Sequence, residues 1–328
     1  MTRKLAEALP ESAEDDASLA ARAAWLHFVG RLTQAEVAER LHVPNAKAHR
    51  LIARATREGM VRIFIEGRIG RCADLEARLC RLYGLAFCEV APTIDDEPLP
   101  LHALGVLGAR YLRRVIEKGA EPLIGLGHGR TLAACVQNLP RLEASGVRFV
   151  SLLGGFTRRF AANPLDVLGR IAERTGAEAY MMPVPLCLNS AEDRAVLMGQ
   201  RGIAEVVALA RESGLRVVGI GAVEPAASMV ATGMVDLADM RAVAEAGGVG
   251  EILGQFFDQH GQRVGSALSA RLACLPFEEL GSGRVVAVAG GIAKTEAIRA
   301  VLRSGRLHGL LTDEKTALGL IEPAFGGP

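Results

Sequence analysis

The residues best suited to chemistry cluster where apolar runs end in glycine. The segment GLGHGRT (Gly125 to Thr131) leaves an apolar run and enters a helical pattern. Its exposed backbone N–H groups and the positive end of the helix could hold an anion, with Arg130 adding charge and Thr131 a hydroxyl. His128 lies inside this exit, where it could touch a ligand. LLGGF carries Gly154 and Gly155 and leads to Ala162, Asn163 and Pro164, where Asn163 could equally cap the next helix. VAGGIAKT (Val288 to Thr295) repeats the device through Gly290 and Gly291 and puts Lys294 in a first helical turn. The helix dipole disfavours a cation there unless something negative sits nearby, and a bound phosphate would supply it. In GGVGEILGQFFDQHG, Glu251 and Asp258 could accept hydrogen bonds from hydroxyl groups. Plainer readings stand beside these: glycine serves tight turns by geometry alone, and lysines and acids are often solvated. The spacings match neither the dinucleotide fingerprint nor a P-loop.

Catalytic groupings are sparse. There is no nucleophile elbow, no histidine pair at zinc-binding helical spacing and no carboxylate dyad that spacing would bring together, and His102, His128, His260 and His308 are isolated. No catalytic residue, metal or cofactor is expected, and a ligand would be bound without being converted.

A second centre is basic. Thr33 can cap a helix and Glu36 completes a capping box, so TQAEVAERL starts a short helix that buries Val37 and Leu41. HVP breaks it, Pro44 tolerates a helix start, Asn45 can cap, and AKAHRLIARATREG buries Ala48, Leu51 and Ile52 until Gly59. This spacing predicts a helix-turn-helix. Lys47, His49, Arg50 and Arg54 occupy the outer side of its second helix, as a recognition helix in a major groove requires. With Thr33, Gln34 and Asn45 they form the expected DNA-contacting set. The following MVRIFIEG alternates like a half-buried strand and predicts a small wing. An exposed basic helix without a ligand, or a protein-interaction module, is the alternative. ASLAARAAWLHFVG reads as a preceding helix with Leu19, Ala23, Leu26 and Val29 on one side and Gly30 as its stop.

The elements that must position the glycine exits follow from alternation. FCEVAP, PLIGLG, VRFVSLLGG, AEAYMM, LRVVGIG, RVVAVAGG and HGLLTD are short apolar strands, separated by helical stretches such as LHALGVLGARYLRRVIEKG and RAVLMGQRGIAEVVALARESG. Such alternation means an α/β fold with a parallel sheet covered on both faces, whose ligands bind beyond the carboxyl ends of the strands.

Composition agrees. The 328 residues are 50% hydrophobic and 23% charged with only 4% aromatic, which excludes extended disorder and favours Ala, Val, Leu and Ile in the core. Residues 1–17 hold two basic and five acidic side chains, 18–71 hold ten and four, and 72–328 hold 26 and 28. The expected organisation is an acidic, disordered leader (1–17), a DNA-binding unit (18–71) and a large, nearly neutral unit (72–328). No apolar run is long enough to span a bilayer and the polar start lacks a signal peptide's apolar centre, so a cytoplasmic location without membrane contact is expected. Cys72, Cys80, Cys88, Cys135, Cys187 and Cys274 lack metal or dithiol spacing and read as reduced packing residues.

From about Leu19 to Glu322 the chain resembles the SorC/DeoR-type sugar-binding transcriptional regulators. AARAAWLHFVGRLTQAEVAERLHVPNAKAHRLIARATREGMVRIFI is similar to their helix-turn-helix, LIGLGHGRTL to a first ligand loop, GEILGQFFDQHG to a central acidic motif and VAGGIAKTEAIRAVLRSGRLHGLLTDEKTA to a terminal signature. The AARAAWLHFVG and PVPLCLNSAEDR segments look most like a polyol-responsive branch. The resemblance implies a Rossmann-like α/β effector domain related to sugar-phosphate isomerases and deaminases, assembled as a dimer of dimers. It also implies an effector pocket at Gly127, Gly129, Arg130, Thr131, Gly154, Gly155, Asn163, Asp258, Gly290, Gly291 and Lys294, with His128 beside them. The implied partners are operator DNA, other copies of the chain and a small sugar, polyol or sugar phosphate. The implied action is repression relieved by the effector. The rival is an isomerase or deaminase carrying an accessory helix-turn-helix.

Overall fold

A computed structural model describes residues 16–61, 70–94, 97–144, 146–155 and 166–322. The chain divides into two compact units, residues 1–65 and 66–328, so α4 (Gly70–Tyr83), which the expected boundary at 71/72 would cut, lies wholly in the second. The expected wing and Asn163 lie outside the described residues.

In the first unit α1 (Asp16–Ala24) runs into a single π-turn (Trp25–Val29), followed by α2 (Gln34–Arg40) and α3 (Asn45–Arg57). Asp16 and Ala17, expected in the leader, are therefore helical. The capping box at α2 forms as read: the Glu36 N–H donates to Thr33 Oγ1 at 3.3 Å while the Thr33 N–H donates to Glu36 Oε2 at 2.7 Å. Ala20, Ala23, Val37, Ala48, Leu51, Ile52 and Ala55 form the buried core. Its small side chains let three short helices approach closely, while Val37, Leu51 and Ile52 each supply about 2 kcal/mol of burial. Val29, expected inward, is 63% exposed, because the wider π-turn rotates it off the α-helical stripe. Pro44 is the cap of α3 and Asn45 its first helical residue, so the Asn45 side chain projects outward instead of capping.

Among the described residues the larger unit continues from α4 through β1 (Phe87–Ala91), α5 (Leu101–Lys118), β2 (Leu123–Leu126), α6 (Arg130–Asn138), β3 (Arg148–Ser151), α7 (Val167–Thr175), β4 (Ala179–Tyr180), α8 (Ala191–Met198) and α9 (Arg201–Glu212). Next come β5 (Leu215–Val218), β6 (Gly221–Ala222), α10 (Ser228–Ala231), α11 (Leu237–Glu245), β7 (Gly250–Ile252), β8 (Gln255–Phe257), β9 (Arg263–Val264) and α12 (Ala267–Arg271). Finally, β10 (Arg284–Val288), α13 (Thr295–Arg303), β11 (Gly309–Asp313) and α14 (Glu314–Ile321) close the unit.

Seven strands form one parallel sheet in the order β1-β11-β10-β5-β2-β3-β4. From β2 the chain steps outward to β3 and β4, then returns to place β5 on the other side of β2 and steps away through β10 and β11. α5 packs closely on α6 and α6 on α7, while α9 packs against β2 and β3. Strand progression reverses between β2 and β5, so the loops leaving these strands diverge and open a crevice. The sequence did not signal a second sheet, the antiparallel order β6-β7-β8-β9, which stands beside that crevice.

Candidate effector site and nucleic-acid interface

A cleft of about 870 Å³ occupies the crevice beyond β2 and β5. Its walls come from the Gly127–Leu132 exit, the Val218–Glu224 exit, Met229 and Met234 around α10, Glu251 and Gly254 of the antiparallel sheet, and Lys294. Of the sequence-selected residues it gathers Gly127, His128, Gly129, Arg130, Thr131, Glu251 and Lys294.

The first exit is open by construction. Gly129, at φ 126°, caps α6 in a conformation that side-chain-bearing residues rarely adopt, with nothing near its missing Cβ. This turns the first amides of α6 toward the cleft, together with exposed Arg130. Burial pushes the His128 imidazole down to about 4, so it is neutral at physiological pH.

The opposite wall carries charge of both signs. Glu251 lies across from Gly221 in the β6–β7 pair. Its Oε1 accepts the Gly254 N–H at 2.6 Å. Burial raises its pKa to about 7, opposed by that hydrogen bond and by the nearby Lys294 ammonium. Lys294 Nζ donates to the Ile220 carbonyl at 3.1 Å, and burial and Arg130 lower its pKa while Glu251 and Glu224 hold it up. Lys294 sits in a 3-10 turn (Ile292–Lys294) just ahead of α13, not in the helix itself. The protein's own carboxylates supply the negative charge that its position calls for.

Five expected pocket residues are absent from the cleft wall, and each is consumed by the fold. Asp258 Oδ1 accepts the N–H groups of His260 and Gln262 at 2.9 and 2.8 Å, closing the β8–β9 turn. The acid of that motif facing the cleft is Glu251. Gly154 donates to Ala273 O and Gly155 to Val184 O, both at 2.8 Å, and a Cβ on Gly154 would lie 2.6 Å from Pro185 O. A Cβ on Gly290 would strike the Asp313 carboxylate at 2.2 Å, while the Gly291 N–H donates to Asp313 Oδ2 at 3.0 Å and Thr316 Oγ1 at 2.8 Å. Glycine is needed for close packing at Gly154, Gly290 and Gly291, whereas a Cβ on Gly155 would meet nothing within 4 Å.

Sequence reasoning passed over Gly221, Glu224, Met229 and Met234. GIGAVEP, a fourth glycine exit after an apolar run, was the available signal for the first two. The buried cysteines pack inertly: all six thiols are unbridged, and burial pushes Cys135 and Cys274 up to about 12.

On α3, His49 and Arg50 point away from the core residues Ala48, Leu51, Ile52 and Ala55, and exposed Ala46, Ala53 and Arg57 share that outward face. Lys47 and Arg54 lie on its flank, half-buried, with Arg54 Nε 2.8 Å from Glu58 Oε1. Thr33 is spent on the α2 cap, and Gln34 and Asn45 stand exposed at the starts of α2 and α3. The two alanines leave the outward face smooth between its basic residues, a shape that fits a groove. Among the described residues no helix is long and apolar enough to cross a membrane.

Residues 67–322 match the Sugar-bind family of sugar-binding domains. The chain is 55% identical over 309 residues to the erythritol catabolism regulatory protein EryD of Brucella abortus (strain 2308), covering 94% of this chain and 98% of that protein. It is 32% identical over 308 residues to the transcriptional regulator LsrR of Enterobacter sp. (strain 638), covering 92% of each. The full-length sorbitol operon regulator SorC from Klebsiella pneumoniae superposes with a TM-score of 0.71 at 25% identity, covering 94% of this chain and 99% of that one. These relatives are transcriptional regulators, not enzymes, and the chain is a sugar-responsive regulator of transcription that belongs to the SorC/DeoR-type sugar-binding family.

Proposed function

We propose that the chain represses a polyol catabolic operon, holding operator DNA through the outward face of α3 and letting go when a small polyol fills the β2/β5 cleft. The observation that carries this reading is the 55% identity, spread along nearly the whole chain, to a regulator named for erythritol catabolism. The chemistry of the cleft supports it: among the described residues, amides, two acids and two bases suit a ligand rich in hydroxyls. His49, Arg50, Asn45 and Gln34 would meet bases or phosphates, Lys47 and Arg54 the flanking backbone. The protein works in the cytoplasm as a dimer of dimers, which gives DNA and effector two assembly geometries to prefer. By linkage each ligand weakens the other by the same factor, about 5- to 150-fold.

Fluorescence anisotropy with the protein's own promoter region tests this. Binding should weaken at least tenfold on adding erythritol and fall with salt at a slope of about −0.9 per neutralised phosphate. Arg50→Ala should weaken operator binding without changing thermal stability. Operator affinity indifferent to erythritol and to related polyols would overturn the assignment.

A further inference from the structure

Glu251 is placed for more than hydrogen bonding. It can lie in the cleft wall only because its cross-strand partner is glycine: a Cβ on Gly221 would sit 2.6 Å from Glu251 Oε2. Oε1 is fixed by the Gly254 amide, so the carboxyl is held in one orientation with Gly221 and Gly254, both cleft residues, on either side. Next to Gly221, the Ile220 carbonyl anchors the Lys294 ammonium. Among the described residues the charged side chains of the cleft are Arg130, Lys294, Glu224 and Glu251, which cancel when both acids are ionised. The lysine's charge is thus already matched, and a phosphate would have to compete with two carboxylates for it.

On the reading of the cleft as a polyol site, we propose that the Glu251 carboxyl reads a pair of adjacent hydroxyls on an uncharged polyol and gives up a proton as they dock, so that effector binding releases protons. Two neighbouring hydroxyls donate to the two oxygens of a carboxylate, whereas a carboxylic acid presents its own donor to one of them. The ligand therefore selects the ionised form. The O–H bond of the acid breaks, the proton passes to buffer, and no covalent bond forms to the polyol. The empty protein holds a proton to release because burial keeps Glu251 half-protonated near pH 7. The other groups facing this wall behave differently. His128 at about 4 and Cys274 at about 12 do not titrate near neutrality, Glu224 and Arg130 are the other charged side chains on this wall, and burial and Arg130 lower the Lys294 pKa against the opposing pull of Glu251 and Glu224.

Isothermal titration of the full-length protein with erythritol, at pH 7 in PIPES and in imidazole buffer, reads the proton directly. We expect about half a proton released per ligand. The Kd should tighten up to about tenfold between pH 5.5 and 6.5 and level off above pH 8. Glu251→Gln keeps an acceptor for the Gly254 amide, and should bind more weakly with heats independent of buffer. The wild-type measurement stands by itself if that variant fails to fold. Erythritol binding without proton release, with proton uptake, or with release that persists in Glu251→Gln overturns this inference alone. If neither erythritol nor longer polyols bind to protein that still holds operator, or if only a phosphorylated polyol binds, the polyol reading falls and this inference with it.

Discussion

Two strand exits with nearly the same text have opposite fates. After β2, GLGHGRT leaves its glycines open: nothing approaches the missing Cβ of Gly129, and the start of α6 faces the cleft. After β10, the glycines of AGGIAKT are filled from within, and only Lys294 at the end of that segment reaches the cleft. Asp313 accepts the Gly291 N–H through Oδ2 and the Thr316 N–H through Oδ1, and Thr316 Oγ1 donates to its Oδ2. A buried carboxylate has taken the place a bound anion would occupy. The difference teaches that a glycine-rich exit marks a ligand site only when no side chain from a later strand closes it.

The strongest way to break this comparison is Asp313→Ala. If the second exit is an internal anion site, removing its carboxylate leaves buried amides and the Thr316 hydroxyl without an acceptor, and uncaps α14. Stability in urea should fall by about 3 kcal/mol, while erythritol affinity of the folded fraction is unchanged. A loss of ligand binding in protein that remains folded would show that the second exit belongs to the ligand after all.

Gly129→Ala sharpens the other side. Space is available but the φ of 126° is not, so we expect a loss of about 2 kcal/mol in stability and more than a tenfold loss of erythritol affinity as the start of α6 reorients. Calorimetry on the same sample reads both, and unchanged affinity would mean the α6 amides do not touch the ligand.

What could be read in advance follows how local its cause is. The capping box of Thr33 and Glu36, the Pro44 break and the apolar parallel strands are fixed by neighbours in sequence, so the helix-turn-helix and the main sheet were legible. The antiparallel sheet was not, since strands of two or three residues carry too little alternation. The pairing of Gly221 with Glu251 depends on a register set by the rest of the fold, so the residues left Glu251 and Asp258 as equal candidates and the resemblance pointed to Asp258. Likewise nothing near Gly290 reveals that Asp313 will lie against it. Val29 failed for a local reason: one π-turn shifts a face that a 3.6-residue period would keep inward.

The open exit should also announce itself through pH. His128 is neutral when folded, with a pKa of about 4 against an ordinary 6.5. Above 6.5 neither state binds the proton. Between 6.5 and 4 only the unfolded chain does, so folding stability drops as pH falls. The drop should be about 2 kcal/mol by pH 5, read as the difference between wild type and His128→Gln in urea titrations at pH 7 and pH 5. Equal losses in both proteins would show that the imidazole is solvated.

The smallest effect tests the converse, a turn that wants glycine and lacks it. His42 joins α2 to α3 at φ 53°, a left-handed conformation costly to a side-chain-bearing residue. Relief of that strain in His42→Gly is partly offset by the freer unfolded chain, so a gain of about 0.5 kcal/mol is expected from thermal unfolding. Since His42 lies in the turn ahead of α3, operator affinity of the same variant separates two roles for the ring. Unchanged affinity makes it a tolerated strain, whereas weaker DNA binding by a more stable protein means the strained turn holds an imidazole against the duplex.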